Sequence, residues 1–283
     1  MIDLHMHTRA SDGRQTAEEL VRRAREVGIT ILSVTDHDTT ASVSAAAAAA
    51  ATAAIGFVPG IEMTAVDGGR DVHVLGYYVD VDAPELRAAN AARLAGRVER
   101  AREIADRLAA LGAPIDVEAL LARANPADAR SFGRPHLARC LVEAGHVATV
   151  QEAFDRFLSE GRPGYLANGG PSPEDVIAVI VRAGGIASLA HPGLLDRDDL
   201  VPRLADAGLA ALEVYHCAHD ERARERYRQL ARRHRLAVSG GSDYHGEGVR
   251  RAEFFGKVGL PAGEFTALEA VAGRLGQPRP VSA

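Results

Sequence analysis

The sequence has few of the residues on which several protein classes depend. It contains no tryptophan, only 5% aromatic residues and a single lysine, Lys257, among its 283 residues. Alanine, valine, leucine and isoleucine must therefore fill the interior, which suits an α/β protein better than an aromatic-rich sandwich. The 47% hydrophobic content is sufficient for one substantial core, or for one core and a small appended domain.

Disulfide, targeting and membrane signals are also scarce. The two cysteines, Cys140 and Cys217, form no CxxC pair, so we predict no disulfide framework and expect a reducing cytoplasm. The first residues lack the basic and apolar regions of a signal peptide. Because no apolar run reaches the roughly 18 residues of a membrane span, we expect a cytoplasmic protein with no membrane partner.

Positive charge is not in excess, since the formal net charge is -5. A chain with this balance should not bind long nucleic acids by charge alone. Small phosphorylated ligands remain compatible with it, because bound metal ions can supply a local positive field.

Strand and helix patterns alternate at both ends of the chain, whereas the middle is helical. The residues Thr16 to Glu19 form a capping box before an amphipathic helix, and Gly68-Gly69 predicts a hairpin turn. The predicted strands are 2–5, 30–35, 57–64, 72–79, 186–190, 210–215 and 236–240. This pattern predicts an α/β barrel or parallel sheet from 1–82 and 169–283, with an all-helical insertion at 83–168.

Potential metal ligands follow nearly every predicted strand. They are His5, His7, Asp12, Asp36, His37, Glu62, His73, His191, Glu213, His216, Asp243 and His245. Functional groups gather at the carboxyl ends of strands in βα barrels, so these residues should meet at one rim. Taken alone, each of these residues is as compatible with a structural role in the core or in a turn as with metal binding. Three of the four other histidines, His146, His219 and His234, are predicted to be ordinary surface residues.

The donor types narrow the chemistry of this rim. Nitrogen and oxygen donors without thiolate suit manganese first, with iron or zinc as alternatives. Because there are too many ligands for one four-coordinate ion, we predict two or three divalent ions. Paired ions roughly 3.5–4 Å apart activate a hydroxide and hold the oxygens of a phosphoryl displacement. Three such ions would outweigh the nearby carboxylates, which favours an anionic phosphate ester over a neutral amide.

Six motifs resemble those of the PHP (polymerase and histidinol phosphatase) family. They are Ile2-Asp-Leu-His-Met-His-Thr, Ser11-Asp-Gly, Thr35-Asp-His-Asp, Gly60-Ile-Glu-Met, Ala190-His-Pro and Gly241-Ser-Asp-Tyr-His. The resemblance implies a distorted seven-stranded (β/α) barrel with a trinuclear metal site. It also implies three ligand groups. These groups are His5, His7, Glu62 and Asp243; Glu62, His73 and His191; and Asp12, His37 and His245.

Three motifs in the insertion resemble those of the members that remove phosphate from nucleotides. They are Ser131-Phe-Gly-Arg-Pro-His, Glu152-Ala-Phe-Asp-Arg-Phe-Leu and Gly161-Arg-Pro-Gly-Tyr. The resemblance implies hydrolysis of a nucleoside 3′,5′-bisphosphate or trimming of short RNA from its 5′ end. Arg134 and Arg162 can clamp phosphate, and Tyr165 can stack on a base or bond a phosphate. His136 can donate to phosphate or to the leaving oxygen. Asp36 is expected to adjust a metal ligand from outside the cluster, and His216 to do the same or to orient substrate.

The predicted function is therefore hydrolysis of the 3′-phosphate of a small nucleotide by a metal-activated hydroxide, with a 5′–3′ exoribonuclease on short oligonucleotides as the alternative. A histidinol phosphatase fits the insertion motifs less well. An amidohydrolase barrel also begins with HxH but needs a strand-end lysine, which Lys257 does not provide. A non-catalytic metal-bound module would be expected to have lost ligands, and none of the nine is missing.

Overall fold

The computed structural model describes residues 1–123, 133–248 and 251–274. Seven strands form one sheet in chain order, with parallel pairing except on either side of the fourth strand. These strands are β1 (Ile2–Asp3), β2 (Ile31–Val34), β3 (Gly56–Asp67), β4 (Arg70–Tyr77), β5 (Ile186–Leu189), β6 (Ala211–Tyr215) and β7 (Ala237–Gly240). The sheet contains the seven predicted strands.

The two edges of the sheet meet through the residues that follow β1 and β7. The Leu4 amide donates to the carbonyl of Gly240 at 3.1 Å, and the His7 amide donates to the carbonyl of Tyr244 at 2.9 Å. Met6 and Tyr244 form a parallel bridge between them. The sheet is therefore a nearly closed barrel, which confirms the predicted distorted seven-stranded architecture.

Helices connect most of the strands. They are α1 (Ala17–Glu26), α2 (Val43–Thr52), α3 (Pro84–Ala110), α4 (Val117–Arg123), α5 (Arg134–Glu143), α6 (Val150–Ala153), α7 (Pro173–Arg182), α8 (Pro192–Leu195), α9 (Leu200–Asp206), α10 (Glu221–Arg233) and α11 (Ala262–Arg274). The predicted capping box opens α1, because Thr16 Oγ1 accepts from the Glu19 amide and Glu19 accepts from the Thr16 amide. None of the helices that the structure describes has the length and apolarity needed to cross a lipid bilayer.

Strands β3 and β4 form the antiparallel hairpin that the double glycine predicts. Gly68 and Gly69 have φ angles of 58° and 80°, in the left-handed region that glycine adopts without steric cost. Pairing runs from Gly60 opposite Tyr77 to Asp67 opposite Arg70. Strand β3 is longer than predicted because the hairpin ladder continues to the turn.

Buried apolar side chains form three clusters. One lies in the barrel and under α7, and a second joins α1 and α2 to β2. The third is built from the second half of α3, from α5 and from the segment after it, with Leu108 and Leu141 fully buried. The start of α3 belongs to the barrel cluster through Leu86, so this one helix contributes to both parts of the fold.

Two helical segments differ from the sequence pattern. Residues 150–159 have the pattern of one α-helix, but the structure has α6 followed by a π-helix at Phe154–Leu158, because the last turn widens before Ser159. The Ala-rich run at 41–54 predicts a helix from residue 41, but the helix begins at Val43, where the hydroxyl of Ser42 bonds Asp36 instead of capping the helix. Ser131 and Phe132 of the insertion motif lie outside the described residues, as does the end of the predicted second barrel segment.

Candidate active site

The HxH motif lies at one end of the barrel, directly after β1. His5 and His7 point to the same side, with ring centroids 5.2 Å apart, and both are buried. The Asp243 amide donates to the carbonyl of His5 at 2.8 Å. This backbone contact brings the first motif of the chain next to its last motif, Asp243 and His245.

Glu62, at 1% exposure, lies at the centre of a group of histidines. Its Oε1 atom is 2.9 Å from His73 Nδ1 and 3.1 Å from His191 Nε2. Its Oε2 atom is 3.2 Å from Nε2 of His5, 3.2 Å from Nε2 of His7 and 3.3 Å from Nδ1 of His37. Burial opposes the charged carboxylate, but the surrounding histidines outweigh it and hold the pKa of Glu62 well below its usual range.

Asp243 uses its two carboxylate oxygens differently. Oδ1 faces the cluster, 3.5 Å from His5 Nε2, 3.4 Å from His7 Nε2 and 3.6 Å from His245 Nδ1. Oδ2 faces away and accepts from Arg251 Nη1 at 2.5 Å and from His216 Nε2 at 3.2 Å. The carboxylate therefore offers one oxygen to the cluster while the other is held in place.

Asp12 completes the rim on the solvent side. Its carboxylate oxygens lie 3.7 Å from His7 Nδ1, 3.7 Å from His37 Nε2 and 3.4 Å from His245 Nε2. Burial disfavours the charge, but His37, His245 and His7 outweigh it and lower the pKa of Asp12.

The structure thus brings all nine predicted ligands into one cluster. Among these nine, three sets of ligand atoms each lie within 4.8 Å of one another: His7, Asp12, His37 and His245; His5, His7 and Asp243; and His37, Glu62 and His73. A fourth set, His216, Cys217 and Asp243, includes two residues outside the nine. The first three sets overlap with the three groups that the family resemblance implies. His7 joins the Asp12 set as well as the His5 set, and His37 joins Glu62 as well as Asp12.

The donors fit divalent metal ions. Both ring nitrogens of His7, and Nδ1 of His37 and of His73, are buried without a hydrogen-bond partner among the described residues. Each of these nitrogens is 2.9–3.7 Å from a carboxylate oxygen of Glu62 or Asp12, but outside hydrogen-bond geometry. Buried polar atoms are rarely left unpaired, and converging imidazole and carboxylate donors are the ligands that divalent transition metals prefer.

Glu213 holds two residues of the cluster from behind. Its Oε1 atom is 2.8 Å from His5 Nδ1, and its Oε2 atom accepts from the His191 amide at 2.7 Å. A carboxylate bonded to one ring nitrogen of a histidine fixes the tautomer that leaves the other nitrogen free for metal. The sequence pattern marks Glu213 as a potential metal ligand at a strand end, but not as a residue that orients other ligands.

Asp36 fixes the turn that carries Asp12. Its carboxylate accepts from the Thr8 amide and hydroxyl at 2.7 Å each, from Ser11 Oγ at 2.7 Å, and from Ser42 Oγ. All of these groups are buried, so Asp36 does not face the cluster opening. Its contacts are those of a residue that positions the turn, and the predicted adjustment of a metal ligand stays a prediction.

His216 is buried and likewise acts on a ligand. Its Nδ1 accepts from the Ala218 amide at 3.1 Å, so in the neutral ring Nε2 carries the proton that bonds Asp243. Burial lowers the pKa of His216, but hydrogen bonding to Asp243 outweighs it and raises the value to about 9. These contacts favour orientation of Asp243 over the predicted alternative of contact with substrate.

The prediction that His219 is a surface residue is wrong. His219 is 2% exposed, and its Nδ1 bonds the carbonyl of Val214 at 2.9 Å while its Nε2 accepts from the Gly193 amide at 3.1 Å. It lies in the loop after β6, which folds back under the cluster. A polar residue just before a helix cap looks solvated in sequence, and only the path of the loop buries it.

A cavity of about 240 Å³ is lined in part by three of the predicted metal ligands, Asp12, His37 and His73. Three arginines, which are Arg97, Arg100 and Arg134, line the same cavity. We call it the active-site cavity. Sequence reasoning identified Arg134 but missed Arg97 and Arg100, since arginines along a helix usually mark a solvated face.

The other predicted substrate residues lie further from this cavity. Arg162 is exposed, and the lining does not include it among the described residues. The ring of Tyr165 is covered by the guanidinium of Arg134, 5.2 Å from the ring centroid. His136 Nδ1 accepts from the Gly133 amide at 3.3 Å at the start of α5. The roles predicted for these three residues stay predictions.

Imidazole and carboxylate donors gather at the strand ends of the barrel, and three arginines line the cavity next to them. These features define a metal-dependent hydrolase built on a βα barrel. A family profile for the PHP domain matches residues 3–123. The chain is 38% identical over 268 residues to the 5′-3′ exoribonuclease Rnm of Salmonella typhimurium, covering 92% of this chain and 90% of that one. It is also 38% identical over 257 residues to the 3′,5′-nucleoside bisphosphate phosphatase of Chromobacterium violaceum, covering 88% and 89%. The chain belongs to the PHP family.

Solved structures agree on the fold. A metal-dependent phosphoesterase from Bifidobacterium adolescentis superposes with a TM-score of 0.79 at 33% identity, covering 95% of each chain. A protein from Chromobacterium violaceum described as an amidohydrolase, with bound sulfate, gives 0.77 at 35% identity, covering 95% of this chain and 96% of that one. In this chain the lysine expected of an amidohydrolase site is missing, because Lys257 is exposed and lies beyond β7.

Proposed function

We propose that this protein is a metal-dependent phosphoesterase that removes the 3′-phosphate from a nucleoside 3′,5′-bisphosphate. The observation that carries this proposal is the active-site cavity, which is lined both by Asp12, His37 and His73 and by Arg97, Arg100 and Arg134. One phosphate can be held at the metal ligands while a second phosphate pairs with the arginines, whose planar guanidinium groups suit phosphate oxygens. The relatives that hydrolyse phosphate esters of nucleotides or RNA support the same chemistry.

Two or three divalent ions, with manganese preferred over iron or zinc, would be held by the nine clustered ligands His5, His7, Asp12, His37, Glu62, His73, His191, Asp243 and His245. When bound, such ions polarise phosphoryl oxygens and make water acidic enough to be a nucleophile near neutral pH. The chain's own residues do the rest. Glu62 and Asp243 place the cations, the three arginines orient the phosphates, and His136 remains the predicted proton donor to the leaving oxygen.

A 5′–3′ exoribonuclease on short oligonucleotides is the second candidate. The observation in its favour is the 38% identity to an enzyme of that name over 92% of this chain. The net charge of -5 limits either function to short substrates, because positive charge is concentrated only in the arginines of the active-site cavity.

With its cysteines unpaired and no membrane-spanning helix among the described ones, the protein is proposed to work in the cytoplasm. The insertion at 83–168 is proposed as a separate helical unit that covers the substrate.

One comparison of substrates tests this proposal. Metal-loaded protein is assayed with adenosine 3′,5′-bisphosphate, with AMP and with a short 5′-phosphorylated RNA. The proposal expects the bisphosphate to give the highest kcat/KM and AMP as its product. Preferential release of mononucleotides from the RNA would favour the exoribonuclease, and hydrolysis of none of the three would contradict both.

A further inference from the structure

A second, larger cavity of about 580 Å³ lies beside the active-site cavity. It is formed by the middle of α3, by β3, by the segment 166–171 and by the start of α7, and its lining is mainly apolar. The apolar side chains that concern us are Met63, Ala92, Leu166, Val176 and Val179. We call this space the apolar cavity. Its volume is within the range of small-molecule binding sites.

The two cavities are neighbours. Thr64 and Arg100 line both of them. Arg97, in the wall of the active-site cavity, bonds Thr64 Oγ1 at 3.3 Å and also bonds Asp38, which lines the apolar cavity. A ligand with phosphates in the first cavity therefore has an apolar space within one side chain of its phosphate contacts.

Arg100 is suited to contact a flat ring at this junction. Two of its three guanidinium nitrogens already bond the backbone, because Nε donates to the carbonyl of Ala167 at 3.3 Å and Nη2 bonds the carbonyl of Leu166. Groups bonded in their plane present their faces to a ligand, and guanidinium faces stack on aromatic rings. Because aromatic residues make up only 5% of this chain, a guanidinium face is the more important candidate for stacking on a ring.

Tyr165, the residue that the sequence suggests for base stacking, is placed differently. Its ring is covered by Arg134, and its carbonyl accepts from Arg107 Nη1 at 2.6 Å. Tyr165 is not among the described residues that line either cavity. When the phosphates occupy the active-site cavity, the space available to the nucleobase is therefore the apolar cavity beside α3. The ring face of Tyr165 is not available to it.

We infer that the apolar cavity binds the nucleobase of the substrate, with the base against Arg100 and the apolar side chains of α3 and α7. This inference rests on the proposed nucleotide function and adds a specificity site to it. It assigns Arg100 a double role, with its charge toward the phosphates and its flat face toward the base. Binding of a base by stacking and apolar contact tolerates all four bases, so only a modest base preference is expected.

Gly96 allows the cavity to be filled without disturbing the fold. Gly96 lines the apolar cavity, and a Cβ atom built there meets no atom within 4 Å. Leucine is also a better helix former than glycine in the interior of α3. Gly96→Leu should therefore fold and reduce the space, and Ala92→Leu is a second filling variant. Ala95→Leu is the matched control, since Ala95 is exposed on the same turn and lies outside the lining.

The test compares kcat/KM for adenosine 3′,5′-bisphosphate with kcat/KM for 1-deoxyribose 3,5-bisphosphate, which keeps the 2-hydroxyl and both phosphates and carries hydrogen in place of the base. The ratio of the two cancels any general loss of activity. We expect the ratio to fall roughly tenfold in Gly96→Leu and in Ala92→Leu, which is the contribution of one stacked base. Ala95→Leu and Tyr165→Leu should keep the wild-type ratio.

An unchanged ratio in both filling variants, with the bisphosphates still hydrolysed, would overturn the base site and leave the proposed function intact. A fall in the ratio in Tyr165→Leu, without a fall in the two filling variants, would also overturn the base site. It would indicate that the base binds at Tyr165 instead. If wild-type protein hydrolysed p-nitrophenyl phosphate but neither bisphosphate, the nucleotide function itself would be wrong, and the base site with it.

Discussion

Arg251 donates a hydrogen bond of 2.5 Å to the Asp243 oxygen that points away from the histidines. The second partner of that oxygen is His216, at 3.2 Å. The other oxygen of Asp243 is thereby left to the cluster, where three histidine nitrogens lie within 3.6 Å of it. The orientation of a central carboxylate thus depends on residues that do not themselves line the site.

The first prediction concerns this contact. Arg251→Gln should lower metal affinity about 10- to 100-fold, because loss of the partner outside the cluster frees the Asp243 carboxylate to rotate. The measurement is a metal titration of chelated protein, followed by atomic analysis of the bound ions. Arg25→Gln, an exposed arginine on α1, is the control. Equal affinities in the two variants would show that Arg251 does not position Asp243.

Glu213 gives the second prediction. Glu213→Gln replaces the partner of His5 Nδ1 by an amide of the same shape, which no longer fixes the tautomer of the ring. Metal affinity or turnover should fall about 10- to 100-fold, as for other partners of metal-bound histidines. Far-UV circular dichroism checks that the fold is retained. Unchanged metal content together with unchanged kcat would exclude a positioning role for Glu213.

The third prediction is a dependence of metal binding on pH. Burial lowers the pKa of His7, but the nearby carboxylates of Asp243 and Glu62 outweigh it and raise the value to about 10. His7 of metal-free protein therefore holds a proton at neutral pH, and a metal ion must displace that proton. Apparent metal affinity should rise as the pH increases from about 6 to about 9.

Calorimetry measures this proton directly. Metal titrations in two buffers with different ionisation enthalpies should show net proton release near pH 7. A heat of binding that does not depend on the buffer would mean that no proton leaves, and would contradict a protonated His7 in the metal-free cluster.

Arg134 gives the fourth prediction. Arg134→Ala should raise KM for adenosine 3′,5′-bisphosphate by about 10- to 100-fold, which corresponds to one charged hydrogen bond, and should change KM for p-nitrophenyl phosphate much less. Arg139→Ala is the matched control, because Arg139 is exposed on the same helix, α5, and lies outside the cavity lining. Equal changes in KM for the two substrates would rule out a clamp on the second phosphate at Arg134.

The sequence was informative where chemistry and local geometry coincide. Strand patterns, the glycine hairpin and the capping box at Thr16 depend on neighbouring residues. Twelve potential ligands were recognisable because they lie in or just after predicted strands, and the family resemblance separated nine of them from Asp36, Glu213 and His216. Arg97 and Arg100 were not recognisable, since their role exists only after α3 passes over the barrel and the segment 166–171 packs against it. Arg251 was missed for the same reason, and Glu213 was not recognised as the partner of a ligand, because such a partner has no spacing signature.

The burial of His219 shows the same limit. Sequence places it between a strand and a helix cap, where solvated residues are common. Its bonds to Val214 and Gly193 depend on a loop that returns beneath the cluster. Long-range contacts of this kind follow from the closure of the barrel rather than from local pattern.

The central claim is that the clustered histidines and carboxylates bind divalent ions that the hydrolysis requires. The decisive measurement follows metal content and hydrolysis of adenosine 3′,5′-bisphosphate in one preparation, through chelation and re-addition of manganese, with Asp243→Ala in parallel. We predict that two or three ions and the activity are lost together and return together, and that Asp243→Ala recovers neither. Full activity in protein stripped to well below about one ion per chain would contradict the account.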